Sequence, residues 1–191
     1  SFGMDLAGNR VRHEDGDGVT TYLLDGGDRL LATSGAKAAV YTWDANGNML
    51  TKTDGSGTTT YTWDGRDKLV SVDLPGGAGS VSYGYYPLSD LRSYVQGADG
   101  MEKRFLYDGS NVIEEIAGGS LAELATYVEG VGVDQHLARV VGGDVYAYVG
   151  DALGTVRGVI DASGQAVNTY AYKAYGEVRA AGGSDAVQNP Y

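Results

Sequence analysis

The sequence predicts an all-β fold assembled from antiparallel β-hairpin repeats of about 20 residues. Three observations predict it. An aromatic-x-aromatic-Asp motif recurs along the chain, followed by turn residues and a short apolar run. Glycine stands at 31 and tyrosine at 15, against 2 phenylalanines and 3 prolines, a balance suited to short strands and tight turns. No segment sustains helical periodicity; Leu121 to Leu124 has room for one short turn at most.

The clearest unit runs through Tyr41, Thr42, Trp43 and Asp44, turns over Ala45-Asn46-Gly47-Asn48, and resumes at Met49-Leu50. Alternation predicts a half-buried strand, and Asn-Gly between two such runs predicts a hairpin. The pattern returns at Tyr61, Trp63 and Asp64, and earlier copies are marked by Asp5 and Asp25, so the aspartates step by 20, 19 and 20 residues. A fifth copy holds Tyr83 and Tyr85 but has lost the acid, and a sixth holds Phe105, Tyr107 and Asp108. Each unit has room for two strands and two turns, which gives the whole chain about sixteen to eighteen strands.

Elementary chemistry accounts for the residue types. Two aromatics at i and i+2 share one face of a strand, so successive hairpins are expected to build an aromatic ladder. The Asp that follows is suited to accept N–H bonds within the turn. A Gly three residues later, as in Asp5/Gly8 and Asp44/Gly47, supplies the positive φ that closes it. One hairpin alone is barely stable in water, so each unit depends on its neighbours.

Spacing loosens after the sixth copy, dividing the chain into degenerate repeats over residues 1–113 and later repeats over 114–191. The later section carries a strand near Leu137 to Val141, Tyr146-Ala147-Tyr148, and Asp151-Ala152-Leu153-Gly154-Thr155-Val156-Arg157. A turn at Asp161-Ala162-Ser163-Gly164 follows. Tyr170 and Tyr172 then repeat the aromatic pair, with Lys173 in place of the acid.

A formal net charge of −11 argues against nucleic-acid and anionic-membrane partners, which need Lys and Arg on one face. Cysteine is absent, so there are no disulfides and no thiolate metal sites. No run approaches the ~18 apolar residues of a membrane-spanning helix, and no export signal is visible.

Candidate chemistry is weak throughout. Ser34-Gly35-Ala36-Lys37 fits a Ser-x-x-Lys motif without its companions and falls in an inter-repeat turn. Asp44-Ala45-Asn46-Gly47-Asn48 imitates the start of a calcium loop, but Met49 and Gly55 stand where Gly and a bidentate Glu are required. Asp15-Gly16-Asp17-Gly18 reads as a turn, and His13 and His136 as structural. Glu114 and Glu115 are strand neighbours, so they point to opposite faces and cannot share a proton. The residues predict no enzyme, no cofactor and no metal.

These motifs resemble the Rhs/YD-repeat family: bacterial rearrangement-hotspot proteins, the C component of Tc toxins, and teneurins. Residues 2–113 resemble its Tyr-x-Tyr-Asp-x-x-Gly-Asn/Arg repeat. Residues 127–191 resemble the segment approaching the end of the Rhs core, through Tyr127-Val128-Glu129-Gly130, the Asp151 to Arg157 run, Tyr175-Gly176-Glu177 and Asn189-Pro190-Tyr191. Two departures are the missing His near Tyr148 to Asp151, and Lys173. The resemblance implies a β-sheet strip spiralling into a hollow shell around a C-terminal toxin. It also implies secretion or surface display in bacteria, and a section that stops before the self-cleaving aspartate motif. Expected partners are neighbouring repeats, identical chains added strand to strand at open edges, and toxin cargo. The alternative is an adhesive or fibre-forming module whose tyrosine faces bind glycans.

Overall fold

The computed structural model describes residues 1–132, 135–173 and 176–183. Tyr175, Asn189, Pro190 and Tyr191 of the resemblance lie outside them. Among these residues, apart from one 3-10 turn at Pro75–Gly77, every regular element is a β-strand, and every pairing described below is antiparallel. The chain divides into two units, Ser1–Met101 and Glu102–Tyr191. The expected change of motif at 113/114 therefore falls inside the second unit.

Unit 1 is a meander of ten strands: β1 (Phe2–Met4), β2 (Arg10–Asp15), β3 (Gly18–Leu24), β4 (Leu30–Gly35), β5 (Ala39–Trp43), β6 (Met49–Asp54), β7 (Gly57–Trp63), β8 (Leu69–Asp73), β9 (Ser80–Tyr85) and β10 (Arg92–Gln96). Each pairs with the next in sequence. Strand alternation places Tyr41 with Trp43, and Tyr61 with Trp63, on the half-buried face of β5 and β7. The opposite face is exposed and carries cross-strand hydroxyl pairs: Thr21 with Ser34 at 2.6 Å, Thr42 with Thr51 at 2.6 Å, and Thr53 with Thr58 at 2.9 Å.

The expected aromatic ladder differs in one respect. Its rungs stand on alternate strands, because the return strand of every hairpin intervenes. Lys52 on β6 faces Tyr41 on one side and Thr59, two residues before Tyr61, on the other. Two strand spacings, about 10 Å, thus separate successive tyrosines.

The described residues of unit 2 form a meander of eight strands: β11 (Glu102–Asp108), β12 (Asn111–Ala117), β13 (Glu123–Glu129), β14 (His136–Val141), β15 (Asp144–Gly150), β16 (Val156–Ile160), β17 (Ala166–Tyr172) and β18 (Val178–Gly183). Asp108 sits differently from the other marking aspartates. It ends β11 opposite Asn111, so Gly109-Ser110 forms a two-residue hairpin rather than the longer aspartate turn.

Little apolar surface is fully buried. Ala39 and Val72 are the buried apolar residues of unit 1 among the described residues, and Ala125, Tyr127, Ala138 and Val159 those of unit 2. A sheet one layer thick has no facing layer to close over its side chains, so backbone pairing and cross-strand contacts carry more of the organisation.

Candidate functional site

The marking aspartates gather at one end of the unit 1 meander, because they fill every second connection. Asp25 shows the geometry. Its backbone N–H donates to the Arg29 carbonyl at 2.9 Å, and the Asp28 N–H returns to the Asp25 carbonyl at 3.2 Å. Its Oδ1 accepts the N–H groups of Gly27 at 2.8 Å and Arg29 at 3.0 Å. Asp5, Asp44, Asp64, Asp151 and Asp161 repeat the backbone pair, and each accepts turn N–H bonds. The third residue after the aspartate has positive φ in every case: 87° at Gly8, 62° at Asp28, 92° at Gly47, 58° at Asp67, 81° at Gly154 and 83° at Gly164. Lys173 keeps the same backbone bonds, to Glu177 at 2.7 Å and from Gly176 at 3.0 Å. The fold of the turn therefore tolerates loss of the acid.

The accepted hydrogen bonds hold these carboxyls, half-buried except at Asp5, below the ordinary aspartate range. The Asn9 N–H leads at Asp5, the Arg29 N–H at Asp25, the Asn48 amide at Asp44 and the Lys68 N–H at Asp64. The Leu153 N–H leads at Asp151, and the Ser163 hydroxyl at Asp161. A carboxyl whose folded pKa is lowered binds its proton more readily in the unfolded chain. Its stabilising contribution is therefore full above the ordinary value of 3.8 and disappears as pH falls below it through the lowered folded value. The urea midpoint is expected to fall steeply below about pH 4, and Asn at positions 44, 64 and 151 together to flatten that fall. An acid profile unchanged in the triple variant contradicts the assigned turn role.

Three aromatic side chains of unit 1 tie a hairpin to the one before it. Trp43 Nε1 donates to the Leu30 carbonyl at 2.8 Å, Trp63 Nε1 to the Met49 carbonyl at 2.7 Å, and Tyr85 Oη to the Leu69 carbonyl at 2.9 Å. Leu30, Met49 and Leu69 are each the first strand residue after an aspartate turn, so the last aromatic of one repeat closes the turn of its predecessor. Trp63→Phe keeps a six-membered aromatic ring but removes the donor and part of the ring volume; it is expected to cost at least about 1 kcal/mol in urea unfolding.

Sequence reasoning missed a second order in the pattern. The turns at residues 5–9 and 44–48 end in Gly-Asn, whereas those at 25–29 and 64–68 end in Asp-Arg and Asp-Lys. Amide turns and acid turns thus alternate, and like turns lie 39 residues apart. The opposite end of the sheet keeps the same period. Two-residue Asp-Gly-x-Gly hairpins open at Asp15 and Asp54. Gly18 approaches Ala36 as Gly57 approaches Pro75. The signal was visible in the residue after each glycine or acid, but a ~20-residue window averages it away.

The other missed feature is a buried charge cluster in unit 2. Glu115, 2% exposed, accepts from the Tyr127 hydroxyl at 2.8 Å and from Arg139 Nη2 at 3.2 Å, and pairs with Lys103 Nζ at 3.0 Å. Alternation places Glu115 opposite Ala125, and Tyr127, two residues on, opposite Arg139. Glu114 takes the other face, opposite Thr126. Burial beside this cluster pushes the Tyr148 phenol up to about 12. His136 pairs with Glu129 and tilts against the Tyr127 ring with centroids 5.2 Å apart. Tyr170 and Tyr172 stack at 6.4 Å, and Arg157 bonds Asp151 at 2.8 Å with its guanidinium over Tyr172. Among the described residues, no group of three or more His, Asp or Glu side chains is arranged to hold a metal ion. Nor is any helix there long and apolar enough to cross a membrane.

Comparison with known proteins agrees with the repeat reading. The family model described as RHS Repeat matches residues 43–78, which contain one amide turn and one acid turn. No curated protein matches the sequence significantly. Among solved structures, the crystal structure of TcdB2-TccC3-TEV is 13% identical with TM-score 0.49, covering 93% of this chain and 11% of that one. A Photorhabdus luminescens Tc holotoxin pore carrying a TccC3 mutation is 15% identical with TM-score 0.45, covering 93% of this chain and 13% of that one. TcdB2-TccC3 without its hypervariable C-terminal region is 13% identical with TM-score 0.36, covering 96% and 16%. The chain therefore spans only 11% to 16% of the length of these solved chains. The match marks residues 43–78 as similar to an RHS repeat, and the aspartate turns on either side of that stretch continue its pattern.

Proposed function

We propose that this chain is a structural, non-enzymatic section of an Rhs/YD-repeat shell that encloses and carries a C-terminal effector. The observation that carries this reading is the single-layer construction of the meanders. Consecutive hairpins are bonded turn to turn and indole to carbonyl, while few apolar residues are fully buried. That is the build of a wall section, stabilised by nearest neighbours along its length. Secretion as part of a toxin complex goes with the same reading. A sugar-binding role is less well supported. A guanidinium lies over the rings of Tyr22, Tyr83, Tyr127 and Tyr172, on the faces a sugar would stack against.

Limited proteolysis of the full natural polypeptide tests the proposal. An enclosed effector segment is expected to resist cleavage while the repeats are folded, and to become sensitive when mild denaturant opens them. Equal sensitivity in both conditions overturns enclosure.

A further inference from the structure

The alternation of amide and acid turns places complementary groups side by side. Asn9 Nδ2 of the first amide turn donates to Asp28 Oδ1 of the following acid turn at 2.6 Å. In the second pair, Asn46 and Asn48 both donate to Asp67 Oδ1, at 2.9 and 2.7 Å. Acid turns pass on a cation instead. Arg29 Nη1 reaches the Asp44 carbonyl at 3.4 Å, and Lys68 Nζ pairs with Asp90 at 2.6 Å. The acceptors Asp28 and Asp67 stand where the amide turns have glycine, at φ values of 62° and 58°. For turn geometry alone, glycine suits that backbone better than aspartate. An acid at a strained position, repeated 39 residues apart and met each time by an asparagine from the preceding turn, has a role beyond closing its own loop.

We propose that this ledge is a recognition surface on which an amide turn selects an acid turn as its next neighbour, its partner being a β-hairpin whose turn reads Asp-x-x-Asp. The asparagine amide supplies two donors and the aspartate a charged acceptor, so the pairing is directional along the sheet. A hairpin of the amide type offered in the same place has glycine there and no acceptor. The ledge thereby fixes which hairpin follows which, a selection that backbone pairing between similar strands does not make.

The test is Asp67→Gly in the full chain, read as the urea midpoint. Backbone geometry alone makes this substitution stabilising; recognition makes it destabilising. The midpoint is expected to drop in the parent, and to hold or rise when Asp67→Gly is added to Asn46→Ala/Asn48→Ala. Asp67→Asn, which keeps an acceptor oxygen, is expected to stay near the parent. Asp28→Gly with and without Asn9→Ala repeats the comparison at the first pair. A raised or unchanged midpoint for Asp67→Gly in the parent overturns the proposal. So does an equal loss in both backgrounds, or a loss in Asp67→Asn as large as in Asp67→Gly.

Discussion

Glu115→Ala is expected to destabilise unit 2 by about 3–5 kcal/mol, the range for breaking a buried ion pair by removing one partner. The carboxylate is 2% exposed and anchors one phenol and two cations drawn from three other strands. Its loss removes an acceptor and counter-charge from Arg139, a residue only 9% exposed. Gln at position 115 keeps an acceptor for Tyr127 and is expected to fall between parent and alanine. Glu115→Leu combined with Arg139→Met removes both charges and is expected to recover most of the loss, since a buried pair contributes little net of desolvation. Urea unfolding followed by tyrosine fluorescence measures all three. A cost within about 1 kcal/mol for Glu115→Ala places the cluster in effective contact with water and contradicts the assignment.

Gly35→Ala is the second large effect. Gly35 ends β4 at φ 87°, and an added Cβ would lie 2.1 Å from the Val19 carbonyl oxygen. That oxygen already accepts the Ala36 N–H at 2.9 Å, so relief requires moving backbone that pairs β3 with β4. Left-handed strain adds about 1–2 kcal/mol to the clash, and a total loss of at least about 3 kcal/mol is expected. Gly26→Ala is the control, because a Cβ there meets no atom within 4 Å. Equal midpoints for the two variants contradict the local geometry. The same glycine is the second residue of the Ser-x-x-Lys match. Its requirement is thus explained by strand pairing rather than by chemistry at Ser34.

What was legible in the sequence was local. Asp44, Gly47 and Trp43 announce a strand, an Asx-stabilised turn and a hairpin because all the interactions involved lie within five residues. Repetition of that motif then fixed the strand order. The 39-residue alternation was written in Asn9, Arg29, Asn48 and Lys68, but its meaning depends on contacts between turns some 20 residues apart, such as Asn48 to Asp67. The Glu115 cluster was illegible for a related reason. Tyr127 and Arg139 lie 12 and 24 residues away, and only the register of β12, β13 and β14 brings them together. Asp108 looked like its relatives because its aromatic pair is intact. A following Gly-Ser-Asn, lacking the third-position glycine or acid, diverts it into a shorter hairpin.

Where a tryptophan precedes the marking aspartate, its indole fastens that hairpin to the preceding one. The sequence contains 2 tryptophans, and both make this bond, Trp43 to Leu30 and Trp63 to Met49. Hydrogen exchange of the two indole N–H signals in the isotope-labelled native chain reads it directly. Both are expected to exchange at least about tenfold more slowly than in the urea-unfolded chain, with the Met49 and Leu30 strand amides protected alongside. Two indole protons exchanging at the unfolded rate in a chain whose strand amides are protected would contradict the fastening.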